Sequence, residues 1–206
     1  MESVVQLMRE LPALCFTPPA WLKLQLVADL APGEVGGFGI LEVGEHRMTV
    51  QDVLLPTQIC SAVSTELDPA GIASLLAELV DDGEDVGLLR LWWHSHSDGT
   101  AFMSHKDRKT LSEAFPQADF MVGLVINRKG ETFASLYCYR PLALVAEPLE
   151  VILSGPDGRD LREDVRAEVA RKVLTTAAPV VEAEVASPGS SAWPGCHGSH
   201  IIPGGA

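Results

Sequence analysis

Two pairs of apolar, strand-length runs are each joined by a turn of three or four polar residues, and this limits the fold more than any other feature. Residues 35–43 and 48–56 flank Gly44-Glu45-His46-Arg47, and residues 119–127 and 131–140 flank Arg128-Lys129-Gly130. A turn that short joins neighbouring strands antiparallel, because a parallel crossover needs a dozen residues or more. Between and around the pairs lie helix signals. Pro18-Pro19 opens a run to about Leu30, which Pro32-Gly33 stops, and Asp68-Pro69 caps a segment with Ile72, Leu75, Leu76, Leu79 and Val80 at helical spacing. Residues 87–93 read as a further strand, Ser104 to about Phe115 as a short helix, and 142–153 as one extended segment. The expected fold is therefore α/β, a mixed and largely antiparallel sheet flanked by helices.

Beyond residue 153 the pattern changes. Leu161, Val165, Val169 and Val173 recur every four residues among charges, predicting an amphipathic helix within 154–186. From Ser187 to Ala206 the chain is Gly-, Ser- and Pro-bearing without Asp, Glu, Lys or Arg, the composition of a flexible tail. The expected organisation is a catalytic domain over 1–153, a C-terminal helix over 154–186 and a tail over 187–206.

Charge narrows the partners. Lys and Arg total 15 against 28 Asp and Glu, a formal charge of -13. Such a surface repels phosphate backbones and anionic lipid, so no nucleic acid and no membrane is expected. The apolar run 120–126 is far shorter than a span of about 20 residues, and the start Met-Glu-Ser lacks the pattern of a secretory signal. Cys15, Cys60, Cys138 and Cys196 show no paired short spacing, so a reducing, cytoplasmic setting is expected. Cys60 and Cys138 are expected as small buried side chains.

Chemistry concentrates in His94-Ser-His96 followed by Ser104-x-x-Asp107. Residues two apart on a strand point to one face, so both imidazoles face the same way. Two histidines and a carboxylate, with a position left for water, form the ligand set of a hydrolytic zinc site, and Asp107 is the best third ligand. The same Ser104-x-x-Asp107 also reads as a helix cap. The two roles are compatible, since capping orients both side chains together. All four residues at this spacing arise by chance on the order of 10⁻³ or less. Neither His-Glu-x-x-His nor Pro-Cys-x-x-Cys occurs in the chain. Cys196-His197-x-x-His200 is a weaker candidate metal cluster, His105 is expected to face solvent, and Trp92 and Trp93 are expected on opposite strand faces.

These residues resemble the signature of the JAMM (MPN-type) zinc metalloproteases, which include deubiquitinases and prokaryotic homologues. That signature is an upstream glutamate, then His-x-His, seven residues, Ser, two residues, Asp. His94, His96, Ser104 and Asp107 match it, and Glu34 in Glu34-Val-Gly-Gly-Phe fits the upstream glutamate better than Glu42 or Glu45. The resemblance covers about residues 15–153. Ser97 departs from it, since many members carry proline after the second histidine. It implies an MPN-type, cytidine-deaminase-like architecture and one zinc per chain held by His94, His96, Asp107 and a water. It further implies Glu34 as general base and Ser104 as oxyanion donor. The implied substrate is a ubiquitin-like protein or its conjugate, cut after the Gly-Gly tail, with conjugation-pathway enzymes as possible associates. The competing expectations are a catalytically silent MPN-type scaffold and a JAMM peptidase acting on sulfur-carrier or other peptide substrates.

Overall fold

The computed structural model describes residues 11–44, 47–62, 64–115, 117–155 and 159–172. Among the described residues, ten strands and four α-helices follow in order: β1 (Ala13–Phe16), α1 (Pro18–Leu30), β2 (Gly36–Val43), β3 (Arg47–Leu54), β4 (Gln58–Ser61), β5 (Ser64–Leu67), α2 (Pro69–Asp81), β6 (Leu89–Ser95), α3 (His105–Glu113), β7 (Phe120–Ile126), β8 (Thr132–Cys138), β9 (Leu144–Ala146), β10 (Val151–Leu153) and α4 (Leu161–Lys172). Eight strands form one sheet in the order β10-β1-β3-β2-β6-β7-β8-β9, and β4 and β5 form a separate hairpin. The pairs β2–β3, β2–β6, β7–β8 and β8–β9 are antiparallel, whereas β1–β10, β1–β3 and β6–β7 are parallel. The α/β class and the mixed sheet thus agree with the expectation.

The 142–153 segment does not. It is two short strands on opposite edges of the sheet, β9 beside β8 and β10 beside β1. Residues 147–150 join them, and a stretch that short reaches only some ~15 Å. The sheet must therefore curl until its edges approach, and the Leu149 N–H donates to Ala134 O on β8 at 2.9 Å.

One face of the sheet carries α1. Thr17 caps that helix, Pro18 and Pro19 occupy its first turn, and Ala20, Leu24 and Ala28 pack into the main core with Leu14, Phe16, Val50 and Trp93. The other face carries α3, where Leu111 packs with Met103, Met121, Val125 and Tyr137. Period-two alternation divides β7 between them: Val122, Leu124 and Ile126 face α1, while Met121 and Val125 face α3. Gly123 also faces α3, and a Cβ there would lie 2.4 Å from Leu111 Cδ1, so its missing side chain sets how close α3 sits.

On β6 the same alternation buries Leu91 and Trp93 in the main core and turns Trp92 and His94 to the α3 side. Helix α2 keeps little of its expected apolar face inside, since only Gly71 and Leu79 are buried. No side chain of α4 is buried. The Arg162 guanidinium at its start lies 5.1 Å from the Trp21 ring and donates to Val151 O at 2.7 Å. Cys60 and Cys138 are half-buried rather than buried, Cys60 because β4 stands outside the main sheet. No helix among the described residues is long and apolar enough to cross a membrane. Glu45, Val173, the Cys196-His197-x-x-His200 cluster and the 187–206 segment lie outside the described residues.

Candidate metal centre

The strand end, the loop after it and the start of α3 bring three donor side chains to one point. His94 sits in β6 and is 5% exposed, while His96 lies one residue beyond the strand, its N–H donating to Ile126 O at 2.8 Å. The two Nε2 atoms stand 3.2 Å apart, and His94 Nε2 is 3.4 Å from Asp107 Oδ2. All three donor atoms lie within 4.8 Å of one another. Two ligands of one tetrahedral zinc at ordinary Zn–N distances are about 3.3 Å apart, so two edges of this triangle have that length.

The chemistry of the donor set fits a cation. His96 Nδ1 faces Thr100 O at 2.9 Å, and since a carbonyl only accepts, this contact places a proton on Nδ1 and turns Nε2 towards the cluster. His94 Nδ1 is buried without a partner among the described residues. Its ring is held by packing instead, with the Trp92 ring centroid 5.0 Å away. Phe102 stands edge-on to His96 at the same separation.

The helix cap and the donor site coexist. Ser104 Oγ accepts the Asp107 N–H at 3.3 Å, and Asp107 Oδ2 accepts the Ser104 N–H at 2.8 Å, a reciprocal capping box. Burial raises the Asp107 carboxyl, but the His94 hydrogen bond and charge, with the two Ser104 bonds, outweigh it and hold it well below the usual carboxylate range. The carboxylate is thus an anion at neutral pH, as a metal ligand must be. Ser104 Oγ serves only as an acceptor in the cap, which leaves its proton for another partner.

Glu34 lines the same cleft. Its N–H donates to Ser61 O at 2.8 Å, and the next residue is pinned to β6 through Val35 N–H to Ser95 Oγ (3.0 Å) and Ser95 N–H to Val35 O (2.7 Å). Burial pushes the Glu34 carboxyl above its ordinary value. His96, His94 and Lys106 pull it back and Asp107 adds to the rise, for a net upward shift. The competing Glu42 lies exposed at the far end of β2, where Gln51 Nε2 donates to it at 2.7 Å.

Glu34, His94, His96, Ser104 and Asp107 all line one cleft of about 880 Å³. Trp92 and Phe102 border it, and β5 forms one wall. His105 points to solvent as expected. The β4–β5 hairpin and Phe102 were not read as site elements from the sequence, and no local signal marks them, since they meet the motif only through tertiary packing. A second groove of about 830 Å³ runs along the outer face of α1 past Leu22, Leu26 and Leu30, and it holds none of these residues.

No family model matches this chain, and no curated protein matches it. Among solved structures it is similar to the solution structure of protein DSY2949 from Desulfitobacterium hafniense. The identity is 19% over 68% of this chain and 92% of that one, with a TM-score of 0.49. A likeness at that level assigns neither activity nor ligand.

Proposed function

We propose that this chain is a JAMM-type zinc peptidase or isopeptidase that cuts after the Gly-Gly tail of a ubiquitin-like protein. One observation carries the reading: the His94, His96 and Asp107 donor atoms converge in the cleft that also holds Glu34 and Ser104. With it goes the MPN-type, deaminase-like architecture that the motif's resemblance implies, and the conjugates of such a protein as partners.

His94, His96 and Asp107 would hold the ion, each through one atom. Zinc bound there supplies a Lewis acid and brings the pKa of a coordinated water towards about 7. The remaining work falls to the chain. Glu34, with its pKa raised by burial, accepts a proton in the cleft and returns it to the leaving amine. Ser104 donates its hydroxyl proton to the carbonyl oxygen as negative charge develops there. The His96 ring, fixed by Thr100 O, keeps its Nε2 directed at the site. Among the described residues strand β5 pairs only with β4, and its second edge would take a tail lying extended along the cleft. Two glycines have no side chains to exclude, which suits a tail passing between Trp92 and Phe102.

The test is hydrolysis of ubiquitin-like and sulfur-carrier proteins, each fused through Gly-Gly to a short peptide, followed by intact mass. The zinc-loaded chain should release the peptide after the second glycine, and Glu34→Gln should retain zinc and lose nearly all turnover. Cleavage of the sulfur-carrier fusion alone would move the substrate to that class. No cleavage of either by a zinc-replete chain would favour the silent scaffold.

A further inference from the structure

The ligand loop has no proline to stiffen it, and its backbone is strained. Ser97 takes a φ of 40°, a left-handed conformation that costs a non-glycine residue on the order of 1 kcal/mol or more. A proline at this position, fixed near −65°, would not fit that course. Something else must hold the loop.

The turn after β7 does so. Asn127 is fully buried and satisfies all four of its side-chain hydrogen-bonding positions: Nδ2 donates to Gly99 O (2.8 Å) and Glu131 Oε2 (2.6 Å), and Oδ1 accepts from Lys129 N–H (3.1 Å) and Glu131 N–H (3.0 Å). The next residue reaches further. The Arg128 N–H donates to Ser97 O at 2.9 Å, and its Nη1 donates to Asp98 Oδ2 at 3.0 Å. On the other side Nη2 donates to Ala31 O at 2.8 Å and Nε to Ala28 O at 3.3 Å. Those two carbonyls belong to the end of α1, where the last turn has no helical donors left, and a cation there also complements the helix dipole. Only Pro32 and Gly33 separate Ala31 from Glu34.

We propose that Arg128 is a positioning residue, a strut that holds the metal-ligand loop and the segment leading to Glu34 at a fixed spacing. The rigid fork of the guanidinium suits this task, because its donors leave in different directions from one plane. The strut matters because a general base displaced by about 1 Å can lose on the order of 10²-fold in rate. The inference rests on the hydrolytic reading for its catalytic consequence, but not for the mechanical one.

The test joins amide hydrogen exchange on the metal-free full chain with steady-state kinetics of the zinc-loaded chain. In Arg128→Ala, the Gly99 amide, which bonds His96 O, and the Ala31 and Glu34 amides, which bond Val27 O and Ser61 O, should lose protection together. Amides of Val122 to Ile126 should stay protected. The kcat on a Gly-Gly fusion should fall by roughly 10–100-fold with KM unchanged. Arg128→Lys keeps the charge opposite Asp98 but loses the fork, so it should fall between; it also carries the comparison if Arg128→Ala does not fold. Lys129→Ala, an exposed residue of the same turn, should behave as the parent chain. Loosening of only one segment, loosening of β7 as well, or an unchanged kcat would each overturn the strut. An inactive parent chain would overturn the hydrolytic reading, and the exchange data would still decide the strut.

Discussion

Ser104 and Asp107 bond each other twice, the Asp107 N–H to Ser104 Oγ at 3.3 Å and the Ser104 N–H to Asp107 Oδ2 at 2.8 Å. The carboxylate therefore serves the start of α3 and the donor cluster with the same oxygen, which stands 3.4 Å from His94 Nε2. Asparagine separates these duties, because its amide oxygen still accepts the Ser104 N–H while its anionic charge is gone. Asp107→Asn should melt close to the parent temperature and lose zinc, whereas Asp107→Ala should lose zinc and about 1 kcal/mol of stability. Thermal melts and elemental analysis of the two variants check this.

Removing the other half of the cap has a different signature. Ser104→Ala should keep its zinc, since Ser104 supplies no ligand, and lose about 0.5–2 kcal/mol of stability with the cap. Its kcat should fall on the order of 10²–10³-fold, the usual loss for one oxyanion donor. Metal content, urea titration and turnover on one preparation separate the three effects.

Gly33 fixes where Glu34 enters the cleft. A Cβ there would lie 2.2 Å from the Ser61 carbonyl oxygen, and backbone cannot step aside as a flexible side chain can. Gly33→Ala should therefore push the Glu34 segment off β4, costing about 1–3 kcal/mol and most of the turnover while leaving zinc bound. Calorimetry and metal analysis measure the two sides of that expectation.

Tyr139 supplies a pH dependence remote from the site. Burial pushes its hydroxyl up to about 12, with Tyr137 and Cys138 adding to the rise, and the hydroxyl donates to Leu111 O on α3. The folded chain thus keeps this proton longer than the unfolded chain, whose tyrosine titrates near about 10. The stabilisation is complete below about pH 10 and is lost as pH rises towards about 12. Tyr139→Phe should be less stable than the parent at neutral pH and close the gap across that window. Urea midpoints of both chains from neutral to alkaline pH would show it.

What the sequence revealed follows contact distance along the chain. His94, His96, Ser104 and Asp107 fall within fourteen residues, so one strand end and one helix start bring them together, and their spacing alone is informative. Glu34 needed the family resemblance, because it meets them only through the antiparallel pairing of Gly36 with His94. The β4–β5 hairpin went unseen: two four-residue strands, QICS and STEL, carry too little alternation to stand out. Strand β1 was missed for a similar reason, being four residues long and paired in parallel with distant partners. Asn127 reads as the last residue of a strand run and Arg128 as an ordinary turn residue. Arg128 reaches Ala31 across 97 positions, a contact that no local pattern encodes.

On the proposed reading His94, His96 and Asp107 hold one zinc, and bound metal can be counted without any knowledge of the substrate. The full chain, purified without added chelator and analysed for bound elements, should carry about one zinc per chain. His94→Ala, His96→Ala and Asp107→Asn should each reduce that to background while the circular dichroism of the fold persists. Zinc retained at one per chain in all three variants, or absent from the parent chain even after reloading, would mean that these three side chains do not form a zinc site.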